Sequence, residues 1–351
     1  MKAVIIAGGF GTRLRPLTYN MPKPVVPMAN LPLVLHQIRL LHKHGIKDII
    51  LNLHYLPESI KTVLQTEHEL DVNLKFSIED KPLGTCGAVK NAEEFFDSEP
   101  LLVFNGDTLS DINLTELLEF HKKKKAKATI TLTRVPDPSL FGLVLTDEDG
   151  KITQFIEKPP YKKGGVNTIN AGVYVLDPEL IKKVPAGEQY SFERQLFPDM
   201  IKNKVPFYAY VSDSYWIDIG NPEKYKMAHK DILRERVNVA VRGKREGLNW
   251  IGNDCMIDPS ARLEGPVLIG DGVIVEEKST ITDEAVLGEK VRVGQETTID
   301  GSIIWRNTVI GEQVKLEDCI VGANCIIEDF VNLDGAIIAD HSIIKKGSKF
   351  N

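Results

Sequence analysis

The sequence is short of what would send a chain to nucleic acid, to a membrane or to an oxidising compartment. Its 43 Lys and Arg are outnumbered by 49 Asp and Glu, a net charge of −6, so the basic footprint of a nucleic-acid binder is missing. The one basic run, Lys122-Lys123-Lys124-Lys125, follows a helical pattern and reads as a solvated helix end. No apolar stretch approaches the ~20 residues of a membrane span. The apolar start Val4-Ile5-Ile6 is too short for a secretory leader and runs at once into Gly8-Gly9. The cysteines Cys86, Cys255, Cys319 and Cys325 lack C-x-x-C spacing and a paired histidine motif. They are expected to be free thiols in a cytoplasmic protein. What is present is 351 residues with a 42% hydrophobic fraction, enough for two domains with their own cores.

The two halves follow different periods. Up to about residue 233, apolar runs at Val4-Ile5-Ile6, Ile49-Ile50-Leu51, Leu101-Leu102-Val103-Phe104 and Thr129-Ile130-Thr131-Leu132 read as buried strands. Between them lie helical patterns, one with Val34, Leu35, Ile38 and Leu41 on a single face and a stop at Gly45. Strand–helix alternation predicts an α/β fold, a Rossmann-like, mostly parallel sheet covered on both faces. Ligands of such sheets lie at the C-terminal ends of the strands. The segments Ala7-Gly8-Gly9-Phe10-Gly11 and Asn105-Gly106-Asp107 each follow a strand there.

From Ile251 an aliphatic residue recurs every six positions, and the pattern then settles to six, six and five. Leu287, Ile304, Val321 and Ile338 lie 17 apart, as do Val293, Ile310, Ile327 and Ile344. A three-sided coil with one inward aliphatic per side fits this register, so a left-handed parallel β-helix of about five coils is expected over 251–351. Residues 234–250, polar and with spaced glycines, are the expected linker, and 1–233 the expected catalytic domain.

The glycine loop Gly9-Phe10-Gly11-Thr12-Arg13-Leu14 lacks the third glycine of a dinucleotide fingerprint and the Lys-Ser/Thr of a P-loop. It offers backbone N–H groups to phosphate with Arg13 beside them, and alone it equally fits a surface turn. In Pro22-Lys23-Pro24 a lysine stands between two residues of fixed φ.

Taken together, Gly8-Gly9-Phe10-Gly11-Thr12-Arg13-Leu14-Arg15-Pro16-Leu17-Thr18, Pro22-Lys23-Pro24, Pro82-Leu83-Gly84-Thr85-Cys86-Gly87-Ala88, Asn105-Gly106-Asp107, Phe141-Gly142, Glu157-Lys158-Pro159, Asn170-Ala171-Gly172 and Trp216-Ile217-Asp218-Ile219-Gly220 resemble the ordered motifs of sugar-1-phosphate nucleotidyltransferases. These are GT-A-like enzymes, and several carry a hexapeptide-repeat β-helix. Within the family the likeness is nearest to mannose-1-phosphate guanylyltransferases, on Leu35-His36-Gln37-Ile38 and Met256-Ile257-Asp258-Pro259-Ser260-Ala261-Arg262. Cys86 stands where alanine is commoner.

The resemblance implies transfer of a nucleotide from a nucleoside triphosphate to a sugar 1-phosphate, with release of pyrophosphate. Arg13, Lys23, Asp107 and Asp218 would be catalytic. Ala7, Gly8, Gly9, Gly11, Thr12, Arg13, Lys23, Glu79, Pro82, Gly84, Thr85, Asn105, Gly106 and Asp107 would bind nucleotide, and Gly142, Glu157, Lys158, Asn170 and Asp218 the sugar phosphate. Asp107 and Asp218 would hold Mg2+, which favours one or two carboxylates plus phosphate oxygens.

Glu79, five residues before Gly84, tilts the base towards guanine, whose two adjacent donors suit a carboxylate. The expected product is therefore GDP-mannose from GTP and mannose 1-phosphate. The alternatives are uridylyl or thymidylyl transfer to glucose 1-phosphate, or an inactive regulatory subunit that binds GDP-sugar. An acyl-transferring β-helix would need a histidine base. The β-helix holds only His341, which reads as a coil corner. The β-helix is expected to assemble a homo-oligomer, with no nucleic acid or membrane partner.

Overall fold

The computed structural model describes residues 1–66, 71–139, 141–157 and 165–350. Contacts divide the chain into two compact units, one of residues 1–10 and 37–218, the other of residues 11–36 and 219–351. The second unit is thus discontinuous. Its β-helix gathers a segment from near the N-terminus and the helix Pro222–Leu233, both of which the sequence pattern had grouped with the sheet.

In the first unit the strands Leu101–Asn105, Lys2–Ile6, Asp48–Leu53 and Asn73–Ile78 lie side by side in that order, all parallel. Successive residues point to opposite faces of a strand, and here both sets are buried: Val4 and Ile5, Ile50 and Leu51, Leu102 and Val103. The sheet is therefore covered on both sides, as unbroken aliphatic strands require. The long strand Thr168–Leu176 then runs antiparallel beside Leu101–Asn105. It carries Ala128–Arg134 with Phe207–Val211, and Gly142–Thr146 with Ile152–Glu157, to complete a mixed nine-stranded sheet. Alternation of strand and helix could announce the parallel run but not this antiparallel insertion.

The helix Leu33–Lys43 forms where Val34, Leu35, Ile38 and Leu41 share a face; all four are buried, and Gly45 at φ 78° ends it. The helix Leu114–Lys123 ends inside the basic run, with Lys122, Lys123 and Lys125 exposed.

The second unit's β-helix is built from three parallel ladders of six strands each, one coil more than the sequence periodicity suggested, plus one antiparallel strand. The inward aliphatics pair in strict register: Ile251, Ile269, Leu287, Ile304, Val321 and Ile338 on one side. Corners turn through residues of positive φ, among them Lys290, Glu296, Asn307, Gln313, Asn324 and His341. His341 is therefore a corner residue. The change of repeat from 18 to 17 lies at the third corner. Asp283 and Glu284 both take positive φ in one coil, whereas Gly301, Asp318 and Gly335 do so alone in the next three. Residues 234–250 are not all linker: Lys244–Glu246 pairs antiparallel with Asn249–Ile251, and the Arg245 guanidinium lies 4.7 Å over the Trp250 ring.

All four cysteines are free; Cys86, Cys319 and Cys325 are buried, and burial pushes their thiols up from the ordinary range. No described helix is long and apolar enough to cross a membrane.

Candidate active site

In the first unit the chain leaves strand Lys2–Ile6 towards Asp48–Leu53 on one side and returns as Leu101–Asn105 on the other. Where strand order reverses in this way, the carboxyl ends of the two central strands are the usual ligand position in such sheets. Ile6 is in register with Asn105, so Ala7-Gly8-Gly9 and Gly106-Asp107 emerge next to one another. Gly106 is there because nothing larger fits. Its N–H donates to the Ile6 carbonyl at 2.9 Å, and a Cβ would stand 2.5 Å from that oxygen. Gly9, by contrast, borders open space.

Gly8 backs onto Glu79 and His54; a Cβ on it would lie 3.2 Å from Glu79 Oε1. Glu79 is only 6% exposed, not a solvent-facing loop carboxylate. Its Oε2 accepts the Leu83 N–H at 2.9 Å and fixes the turn that presents Pro82, while its own carbonyl bonds His54 Nδ1 at 2.8 Å. Oε1 accepts no hydrogen bond among the described residues. Burial raises the Glu79 pKa, against the lowering effects of the Leu83 N–H and of His54. Phe10 packs its exposed ring against His54 and Tyr55, each 5.5 Å away. Phe10 belongs to the glycine motif, whereas His54 and Tyr55 belong to none of the motifs.

The helix Gly84–Asn91 begins at the Pro82-Leu83-Gly84 turn, but its N-terminus is closed. The Tyr190 carbonyl accepts the N–H groups of Cys86 and Gly87 at 3.0 and 2.9 Å. Gly84, at φ 74°, lies where a Cβ would be 2.8 Å from that same carbonyl. The Thr85 hydroxyl donates to Glu193 at 3.1 Å and accepts the Phe192 N–H at 3.0 Å. Gly84 and Thr85, expected on the nucleotide, thus hold the 188–193 segment through these groups. Glu193 also takes the Ser191 hydroxyl and lies 3.5 Å from the Tyr174 hydroxyl, a network without any local sequence signal.

The short ladder Thr108–Ser110 with Trp216–Asp218 sets Asp218 opposite Thr108, the residue that follows Asp107. Facing Cα atoms in an antiparallel pair are about 4.5–5.5 Å apart, so the backbone at the two half-buried aspartates runs close together. The ladder is locked by Tyr215 N–H on Asp111 at 2.9 Å and by the Trp216 indole N–H on the Ala171 carbonyl at 2.8 Å. Gln37 clasps the turn from below, its amide donating to the carbonyls of Asn105 and Thr108, both at 2.9 Å. The sequence singled out Gln37 as part of a family motif and gave it no role. Among the described residues no group of three or more His, Cys, Asp or Glu could hold a metal. Two carboxylates from neighbouring strand ends fit a cation that completes its shell with phosphate oxygens and water, not a closed protein cage.

On the sugar side, Glu157 pairs with Gly142, and the Ile169–Leu143 pair places Asn170 next to Gly142. Three expected residues thus lie side by side on three neighbouring strands. The Asn170 side chain is engaged within its own strand, donating to the Tyr174 hydroxyl and accepting the Gly172 N–H, both at 2.9 Å. Beside it the buried Oδ1 of Asn105 has no hydrogen-bond partner among the described residues. Lys158 lies outside the described residues.

Gly11, Thr12, Arg13 and Lys23 belong to the second unit. Gly11 takes φ 62° and opens the 3-10 turn Thr12–Leu14, with Thr12 and Arg13 exposed. Lys23 opens the next turn, Lys23–Val25, and is only 8% exposed. The two turns meet: a Cβ on Gly11 would lie 3.1 Å from Lys23 Cβ, and the Thr18 hydroxyl donates to the Gly11 carbonyl at 2.8 Å.

The family model described as "Nucleotidyl transferase" matches residues 2–235, and the model for the EIF2B subunit epsilon left-handed β-helix (LbH) domain matches residues 247–350. A UTP–glucose-1-phosphate uridylyltransferase of Synechocystis sp. is 34% identical over 321 residues, 87% of this chain and 83% of that protein. A mannose-1-phosphate guanylyltransferase of Mycobacterium tuberculosis is 36% identical over 83% of this chain and 80% of its own length. Mannose-1-phosphate guanylyltransferase 1 of Arabidopsis thaliana is 36% identical over 88% of this chain and 87% of its own. Among solved structures, HddC from Yersinia pseudotuberculosis complexed with GMP-PN superposes with a TM-score of 0.57 at 32% identity, covering 65% of this chain and 97% of that one.

Proposed function

The chain belongs to the nucleotidyl transferase family, and from that premise we propose that it makes GDP-mannose and pyrophosphate from GTP and mannose 1-phosphate. The observation that carries the proposal is the ladder that sets Asp218 opposite Thr108, next to Asp107 at the carboxyl end of the central strands. An oxygen of the sugar phosphate attacks the α-phosphorus in line; that P–O bond forms as the bond to pyrophosphate breaks. Little covalent work falls to the protein, so catalysis is alignment and the neutralising of charge.

In this reading Ala7, Gly8, Gly9 and Gly11 present backbone N–H groups to the triphosphate, and Thr12, Arg13 and Lys23 add a hydroxyl and two cations. Pro82, Gly84, Thr85, Asn105 and Gly106 shape the nucleotide side, and Gly142, Glu157, Lys158 and Asn170 receive the sugar phosphate. Enzymes of this family generally use a divalent metal. Mg2+ is the proposed ion, held by Asp107 and Asp218, where it would offset charge on the phosphates.

Pyrophosphate release measured across five nucleoside triphosphates and several sugar 1-phosphates tests the assignment. The highest kcat/KM is expected for GTP with mannose 1-phosphate. The relative from Synechocystis supports a second reading, uridylyl transfer to glucose 1-phosphate, and a clear preference for that pair would replace the first. An inactive regulatory role is disfavoured because Lys23, Asp107 and Asp218 are all retained.

Glu79 offers a sharper test of base choice. Because Oε2 is committed to the Leu83 N–H, only Oε1 is left to accept from guanine. In Glu79→Gln the amide oxygen must stay with that N–H, so the amide nitrogen replaces Oε1 and an acceptor becomes a donor. The kcat/KM ratio of GTP over UTP is expected to fall about tenfold, equivalent to about 1.4 kcal/mol. An unchanged ratio would leave Glu79 as a staple of its turn and nothing more.

Cytoplasmic residence completes the proposal, supported by four free thiols. So does homo-oligomer assembly through the β-helix. One of its faces carries outward aliphatics that stay exposed, Met256, Val309, Ile326 and Ile343, and a ladder of that kind favours a partner. Sedimentation should give a species heavier than the 39.2 kDa chain, and Ile326→Lys with Ile343→Lys should reduce it to the monomer. A wild-type monomer at micromolar concentration would remove this part.

A further inference from the structure

We infer that the β-helix is a positioning element for the Pro22-Lys23-Pro24 loop, acting from Trp305 through Tyr225. This rests on the role proposed above for Lys23. All the contacts involved lie within the second unit.

Two faces of the β-helix carry outward aliphatics, and only one of them is covered. Leu268, Val286, Ile303 and Ile320 point outward on the first ladder and are nonetheless buried, whereas Val309 and Ile326 on the second are exposed. The helix Pro222–Leu233 is fixed to the coils by charged contacts along its length. Lys226 pairs with Asp318, and Arg234 with Glu284 at 2.7 Å. Between them runs a buried polar relay. The Trp305 indole N–H donates to the Tyr225 hydroxyl at 3.0 Å, and that hydroxyl donates to the Pro27 carbonyl. Both side chains are buried, so each hydrogen bond would be costly to leave unmade.

His229, one turn further along the helix, grips the same hairpin. Nε2 reaches the Pro27 carbonyl at 3.3 Å, and Nδ1 accepts the Ala29 N–H at 3.4 Å. This pattern needs the neutral ring with its proton on Nε2, and burial pushes the His229 pKa down to about 3. At the hairpin tip Ala29 and Asn30 take φ 49° and 60°, and Asn30 Nδ2 donates to the Leu287 carbonyl in the β-helix at 2.8 Å. The hairpin is the direct continuation of the lysine turn. Val26 N–H bonds the Lys23 carbonyl at 3.1 Å, Val25 N–H the Pro22 carbonyl at 3.0 Å, and Leu33 N–H the Val26 carbonyl at 3.1 Å. Backbone fixed at Pro27 is therefore fixed at Lys23.

None of Trp305, Tyr225, His229 or Asn30 is assigned a substrate; each is a positioning residue. The test uses the full chain with two variants. Tyr225→Phe breaks the relay at its centre. Asn30→Gly removes the bond to Leu287 while keeping the positive φ, and so covers the case in which the first variant folds poorly. Amide exchange and steady-state kinetics are read together. Exchange at Val25, Val26 and Leu33 is expected to accelerate about tenfold or more, with Ala3, Val4 and Ile5 unchanged. In the folded fraction kcat is expected to fall about tenfold, the scale of one lost buried contact, with KM for the sugar 1-phosphate within about twofold of wild type. Unchanged exchange in both variants overturns the relay. Faster exchange with wild-type kcat overturns its catalytic consequence, because a merely structural contact lowers the melting point and leaves turnover of the folded enzyme intact. A wild-type chain inactive on the whole substrate panel would instead defeat the functional reading, and the exchange result would still decide whether the hairpin is clamped.

Discussion

Asp218→Asn is expected to lower kcat on the order of 10²–10³-fold, the scale of a removed electrostatic stabiliser. The substitution keeps shape and hydrogen-bonding reach, so the ladder that sets Asp218 opposite Thr108 should survive. What goes is one of the two negative charges proposed to hold the ion. A cation that relies on two carboxylates and on substrate oxygens loses half its protein charge. The defect should therefore deepen at limiting Mg2+ and be partly relieved at high Mg2+. Asp107→Asn should behave alike, and the double variant should be little worse than either single, because the two act on one ion. Circular dichroism and melting confirm folding, and turnover is read at several metal concentrations. Near-wild-type turnover of folded Asp218→Asn at limiting Mg2+ would remove both aspartates from the metal site.

The sequence made some of this legible and hid the rest, for physical reasons. The β-helix was readable because each inward position repeats a chemical demand every 17 or 18 residues, and Leu287, Ile304, Val321 and Ile338 meet it in register. Its length was underestimated, and the hairpin Lys244–Glu246 with Asn249–Ile251 was taken for linker, because its exposed polar strand has no inward partner to betray a period. The central strands were readable from buried aliphatic runs. Asn105-Gly106-Asp107 could be placed at a strand end, and Gly106 proves to be demanded by Ile6. The supporting contacts were not readable. Thr85 and Glu193 are 108 residues apart, Tyr225 and Pro27 198, Asn30 and Leu287 257. Such pairs leave no local pattern, so the contacts that Thr85 and Tyr225 make within the fold could not be read from the sequence. The unit boundary moved for the same reason, since 11–36 packs with coils that follow it by more than two hundred residues.

Lys23→Met is expected to cost kcat a further loss on the order of 10²–10³-fold, of different character from that at Asp218. Methionine keeps most of the apolar stem and removes only the charge. The side chain is 8% exposed and is the first residue of a turn held between two prolines. Its entropy of ordering is thus largely settled before substrate arrives, and a pre-aimed cation stabilises charge that develops in the transition state more than charge already present. The loss should therefore fall on kcat more than on KM for GTP, and added Mg2+ should not relieve it. Lys23→Arg is the discriminating control. A guanidinium keeps the charge, but it offers a planar fork in place of a compact ammonium. Arginine should accordingly recover part of the activity and fall well short of lysine. Full activity in Lys23→Arg would mean that only net positive charge matters there. Turnover of Lys23→Met within about threefold of wild type, under conditions where chemistry limits the rate, would mean that the lysine is a structural residue of its turn. The β-helix would then be holding a loop with no part in the reaction.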